Sequence, residues 1–70
     1  MTISITVNGK ATQADDGSVL ADVVQRAGIV LDGDGIAIAV NDAVVPKRDW
    51  STRRVHDGDV IEIIRAVQGG

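Results

Sequence analysis

The sequence predicts an α+β domain in which one main helix covers one face of a mixed, four- to five-stranded sheet. Three observations lead there. Residues 2–7 alternate strictly, with Ile3, Ile5 and Val7 on one face and Thr2, Ser4 and Thr6 on the other, the period-2 pattern of a half-buried strand. Leu20, Val23, Val24 and Ala27 then fall at i, i+3, i+4 and i+7, a single apolar stripe at helical spacing. Finally, Val60 to Val67 is the most apolar strand pattern of the chain, apolar on both faces, as expected of a strand in the middle of its sheet. One helix and several strands are satisfied by a two-layer arrangement.

Each element has its punctuation. Asn8-Gly9 is the preferred pair for a two-residue hairpin turn, because both positions tolerate positive φ, and Lys10 to Ala14 returns antiparallel. Asp15-Asp16-Gly17 breaks the strand, and Ser18 is placed to cap the helix by accepting a backbone N–H. Gly28 stands where a helix ends in a left-handed residue. After the loop Asp32-Gly33-Asp34-Gly35 comes a strand over 36–41, with Ile36, Ile38 and Val40 facing one way and Ala37 and Ala39 the other. Asn41-Asp42 turns the chain, and Val44-Val45 forms a short strand closed by Pro46, which has no N–H to donate. Residues 47–54 read as irregular or briefly helical, with Trp50 against the core, and Asp57-Gly58-Asp59 turns into the final strand. The expected core is Ile3, Ile5, Val7, Leu20, Val23, Val24, Ile38, Val40, Ile61 and Ile63.

Seventy residues make one domain near the lower size limit for folding without staples. With no cysteine there is neither a disulfide, nor a thiolate metal cage, nor the commonest nucleophile. The net charge of −3 argues against nucleic-acid binding. Lys47, Arg48, Arg53 and Arg54 are close in sequence but lie among acidic neighbours. No apolar stretch approaches membrane-spanning length and Met1 leads straight into a strand pattern, so the expectation is a soluble, cytoplasmic domain without a membrane partner.

No catalytic site is expected. Aligning Gly35 with the glycine of a calcium loop puts Val30 at the first ligand position and Asn41 at the last, where a bidentate Glu is needed, so no metal site is assigned. His56 has Ser51 and Thr52 near it in sequence, but nothing else suggests a triad. Gly33 and Gly35 do not open a helix, so no bound nucleotide or other cofactor is assigned.

The informative feature is the end, Gly69-Gly70, directly after the final strand. Two glycines before a terminal carboxylate leave no Cβ to obstruct a narrow channel, and they accept backbone angles closed to other residues. Residues 1–66 then form the domain and 67–70 a flexible C-terminal tail, carried on a central strand that can deliver it to a partner. A second candidate is the outer sheet face, where Ala37, Ala39, Val60 and Ile64 would form an apolar patch for a partner.

Ile38-Ala39-Val40-Asn41, Val45-Pro46-Lys47-Arg48-Asp49-Trp50, Asp57-Gly58-Asp59-Val60-Ile61-Glu62-Ile63 and the terminal Gly69-Gly70, in this order, resemble the thiamine-biosynthesis sulfur carrier family. The resemblance implies a ubiquitin-like β-grasp fold. It implies a carrier rather than an enzyme, acted on by an ATP-dependent adenylating enzyme that consumes ATP. Gly70 would carry the adenylate and then the thiocarboxylate, with Val67, Gln68 and Gly69 threading the partner's channel. The other implied partners are a sulfur donor, such as a persulfide-bearing protein, and thiazole synthase as acceptor. Carriers for molybdopterin also end in Gly-Gly but often have prolines just before it, and Arg65-Ala66-Val67-Gln68 has none. A carrier for molybdopterin or another sulfur-containing product, a ubiquitin-like protein modifier, and a passive interaction module remain the alternatives.

Overall fold

The computed structural model describes residues 1–29 and 35–65. Strands β1 (Thr2–Val7) and β2 (Lys10–Asp15) are followed by helix α1 (Leu20–Arg26), then β3 (Ile36–Val40), β4 (Ala43–Val45), a 3-10 turn (Lys47–Asp49) and β5 (Val60–Arg65). The strands form one mixed five-stranded sheet in the order β2-β1-β5-β3-β4. The last strand is therefore central, parallel to β1 and antiparallel to β3.

Both expected two-residue turns are present. Asn8 and Gly9 lie at φ 51° and 79°, joining Val7 and Lys10 in register. Asn41 and Asp42 lie at φ 53° and 70°, joining Val40 and Ala43. Positive φ at both central positions gives a twist that matches that of the flanking strands.

Helix α1 has seven residues, too few to persist alone in water, and is held by burying Leu20, Val23 and Val24. Its C-terminus closes as the sequence predicts: Gly28 at φ 89° donates to Gln25 O at 3.0 Å, and Ile29 donates to Val24 O at 3.2 Å. This is the paired bond pattern of a Schellman motif. The N-terminus differs from expectation. Val19, not Ser18, occupies the cap position and no side chain caps the helix. Instead the Leu20 and Ala21 N–H groups donate to the carbonyls of Arg53 (2.7 Å) and Trp50 (2.8 Å). A distant backbone segment thus satisfies donors that a cap side chain would otherwise serve.

The core between helix and sheet contains Ile3, Ile5, Val7, Leu20, Val23, Val24, Ile38, Val40 and Ile61, all buried as expected. Ile63 is only partly buried against it. Ala14, Val45, Trp50 and Val55 complete it. Trp50 places its indole Nε1–H on Val45 O at 2.9 Å, so the one aromatic side chain enters the core with its polar atom satisfied.

Candidate functional site

Two regions follow from the sequence, the chain leaving β5 and the outer face of the sheet. Residues 66–70, with the expected tail Val67, Gln68, Gly69 and Gly70, lie outside the described residues, as does most of the Asp32–Gly35 loop. What is described is the strand that leads to the tail. Ile61 is fully buried and pairs with Val7 on one side and Val40 on the other. Further along, Ile63 N–H donates to the Asn8 side-chain oxygen at 2.7 Å, and Arg65 still lies opposite Ile36. The last four described residues of the strand, 62–65, extend past the final β1 pairing but keep their β3 partners.

The start of β5 is anchored by a polar relay that the sequence reading did not assign. Asp59 is 7% exposed, the one buried charged residue among those described. Its carboxylate accepts the His56 backbone N–H at 2.8 Å and the Asn41 amide at 3.0 Å, while the Asn41 oxygen accepts the Val60 N–H at 2.9 Å. Around it, Asp57 accepts the Ser4 N–H at 2.8 Å and the Asp59 carbonyl accepts the Thr6 N–H at 2.9 Å. The turn before the central strand is thereby tied to both neighbouring strands. Asn41 and Asp59 both sit beside turn residues, where Asx side chains commonly bond nearby backbone, so the sequence carried only an unspecific signal for this relay.

On the outer face, Val60 and Ile64 are 41% and 56% exposed. Ala37 sits opposite Ile64 and is half-buried, while Ala39, flanked by Val44 and Glu62, is largely covered at 9% exposure. Val44, which the sequence reading left out of the patch, is the most exposed of the group at 71%. Burial of β5 is therefore one-sided. Its apolar outer positions Val60 and Ile64 face solvent, where the sequence placed an apolar patch. The helix covers one side, and no described element covers the other.

Among the described residues, His56 and Thr52 take other partners. The His56 side chain is 74% exposed with Nδ1 4.0 Å from an Asp59 oxygen, and the Thr52 hydroxyl donates instead to Asp49 O at 3.3 Å. Among the described residues no three of His, Cys, Asp and Glu converge as metal ligands. A cleft of about 650 Å³ runs between β2 and α1, past Lys10, Thr12, Asp22, Val23 and Arg26, and none of its lining residues is a histidine or cysteine. No helix among the described residues is long and apolar enough to cross a membrane.

A mixed sheet with its last strand central, one helix packed across it and two I′-type hairpins defines a β-grasp domain of the ubiquitin-like class. The chain belongs to the ThiS family, whose model matches residues 5–70. It is 30% identical over 70 residues to the sulfur carrier protein ThiS of Escherichia coli (strain K12), spanning 97% of this chain and all of that one. In structure it resembles the thiamine biosynthesis protein ThiS of Geobacter metallireducens, with a TM-score of 0.77 at 23% identity, covering 97% of this chain and all of the other.

Proposed function

We propose that this chain is a sulfur carrier of thiamine biosynthesis, a co-substrate whose reacting atom is the C-terminal carboxyl group of Gly70. The observation that carries the reading is membership of the ThiS family through a match that runs to residue 70 and so includes Gly69-Gly70. An ATP-dependent adenylating enzyme joins a carboxylate oxygen to the α-phosphorus of ATP and releases pyrophosphate. The carboxylate oxygen is a poor leaving group, whereas AMP in the mixed anhydride is a good one. The terminal sulfur of a persulfide-bearing donor then displaces AMP to give an acyl disulfide, and a thiol attacking the donor-side sulfur takes up that sulfur as a disulfide and releases the thiocarboxylate on Gly70. Thiazole synthase takes the sulfur from the thiocarboxylate. Throughout, the chemistry belongs to partners, and this chain supplies a rigid body, a reach of four residues from Val67 to Gly70, and a docking face. That face is the outer sheet surface around Ala37, Ala39, Val60 and Ile64, widened by Val44; the exposed side chains of Val44, Val60 and Ile64 suit a partner that covers them.

Intact mass measured after incubation with the adenylating enzyme, ATP and a sulfur donor tests the reading. A mass gain equal to oxygen-to-sulfur exchange, located on the C-terminal peptide, supports it. Covalent adducts to protein lysines instead would identify a modifier. Absence of any ATP-dependent change on the C-terminal peptide would refute the carrier role.

A further inference from the structure

Charge on this chain is segregated. The connection between β4 and β5 contains Lys47, Arg48, Arg53 and Arg54 against the single acid Asp49, a net charge of +3 on residues 47–54. The remaining residues have three cations, Lys10, Arg26 and Arg65, against nine carboxylates, a net charge of −6. All four cations of the connection are exposed, and their side chains make no hydrogen bond to the described residues. Among those residues, Arg48 alone has a carboxylate within ion-pair range. That partner is Asp49 at 4.0 Å, with the two side chains 84% and 48% exposed, a pair that contributes almost nothing. Among the described residues, the fold makes no use of these charges beyond the exposed Arg48–Asp49 pair.

Their backbone, by contrast, is held firmly. Arg53 O and Trp50 O accept from the start of α1, the Val55 N–H donates to Ser18 O at 2.9 Å, and Trp50 is buried with its indole bonded to Val45 O. Arg54 forms a β-bridge with Val19. Four exposed cationic side chains thus stand on a hydrogen-bonded base, at the flank of the domain beside the start of α1. An acidic carrier whose own terminus is a carboxylate is repelled as it approaches a site loaded with polyanionic ATP. A localised basic strip offsets that repulsion and orients the approach.

We propose that residues 47–54 are an electrostatic docking strip, with Lys47, Arg48, Arg53 and Arg54 meeting a carboxylate-bearing surface of the adenylating enzyme. This rests on the sulfur-carrier reading above. The strip acts on encounter rate rather than on the chemical step, because exposed rim charges mainly change association and its salt dependence.

The test is stopped-flow association of the chain with the adenylating enzyme over a salt series, together with ATP–pyrophosphate exchange at saturating carrier. The double variant R53E/R54E is expected to associate about tenfold more slowly at low salt and to lose most of the salt dependence, with exchange at saturation unchanged. K10E/R26E changes net charge equally but away from the strip, and is expected to keep most of the wild-type rate. Trp50 fluorescence melts confirm that both variants are folded. If R53E/R54E associates as fast as wild type, or if K10E/R26E slows association as much, the docking strip is overturned while the carrier reading stands. If the wild-type chain supports no ATP–pyrophosphate exchange, the carrier reading fails and the strip fails with it. Wild-type binding to a single-stranded oligonucleotide at physiological salt that R53E/R54E abolishes, with enzyme association unchanged, would assign the strip to nucleic acid instead.

Discussion

Replacing Asp59 by asparagine preserves shape almost atom for atom, yet the relay around it requires a group that only accepts. The chain of bonds runs from the His56 N–H to one carboxylate oxygen, from the Asn41 amide to the other, and from the Val60 N–H to the Asn41 oxygen. Both ends of this relay are backbone donors that cannot reverse. An asparagine at 59 adds a donor in the middle. If its oxygen serves His56, its amide faces Asn41. Flipping Asn41 to accept that amide turns the Asn41 NH₂ toward the Val60 N–H. Every orientation leaves one donor facing another. Asp59 is 7% exposed, whereas Asn41 and Val60 are exposed, so water reaches the misfit only at the Asn41–Val60 end of the relay. One lost charge-assisted bond and one partly solvated donor together cost about 1.5–3 kcal/mol. A 70-residue domain has roughly 4–10 kcal/mol in total, so the loss is readily measured. Urea unfolding followed by Trp50 fluorescence is the assay, with an unchanged m-value expected because the same surface is exposed. Asp59→Ala is expected to cost a similar amount, about 1.5–3 kcal/mol, since it removes both acceptors but adds no donor. Asn41→Ala in either background should show non-additivity, as two members of one relay must. A loss below about 0.5 kcal/mol for Asp59→Asn, the range of an inert surface change, would refute the relay.

Other outcomes can be checked alongside. Leu20→Ala empties a fully buried position between helix and sheet and is expected to cost on the order of 2–4 kcal/mol in the same unfolding assay, whereas under about 0.5 kcal/mol would mean that Leu20 is not core. Gly28→Ala meets no atom within 4 Å, so its cost is the left-handed backbone alone, about 1–2 kcal/mol. A thermal shift implying more than about 3 kcal/mol would contradict that simple account. Deleting Gly70, or adding one residue after it, should abolish thiocarboxylate formation without altering the melt, because the carboxylate moves by about 3.5 Å and about 1 Å already costs heavily in rate. Intact mass reads this, and an extended chain that still gains sulfur at its end would overturn the assignment of Gly70. His56→Ala should accept sulfur as wild type does, and a large drop in conversion would give that exposed histidine a role not assigned to it here.

Local rules made much of this protein legible in its sequence. Strict alternation in 2–7, Asn8-Gly9, the stripe from Leu20 to Ala27 and the Gly28 stop all act between residues a few positions apart. Their outcomes therefore follow from backbone sterics and side-chain periodicity before any tertiary contact exists. The apolar core positions followed for the same reason, since one face of each element had to be buried. Even the family resemblance rested on short motifs and the terminal Gly69-Gly70, whose chemistry is independent of the sheet.

What the tertiary structure decided are the pairings between residues far apart in the chain. Ser18 looked like the helix cap because local rules favour a hydroxyl there, but the carbonyls of Arg53 and Trp50 take the first helical N–H groups instead. The long connection between β4 and β5 passes close enough to supply them, and no spacing rule encodes that approach. Asp59 read as one more turn acid until folding placed the amide of Asn41, 18 residues away, beside its buried carboxylate. The outer apolar positions of the sheet looked alike in sequence, yet Ile64 is 56% exposed and Ala39 only 9%, because the flanking Val44 and Glu62 cover the smaller side chain. Hydropathy reports how much a residue gains from leaving water, and the packing of the whole chain determines whether it leaves.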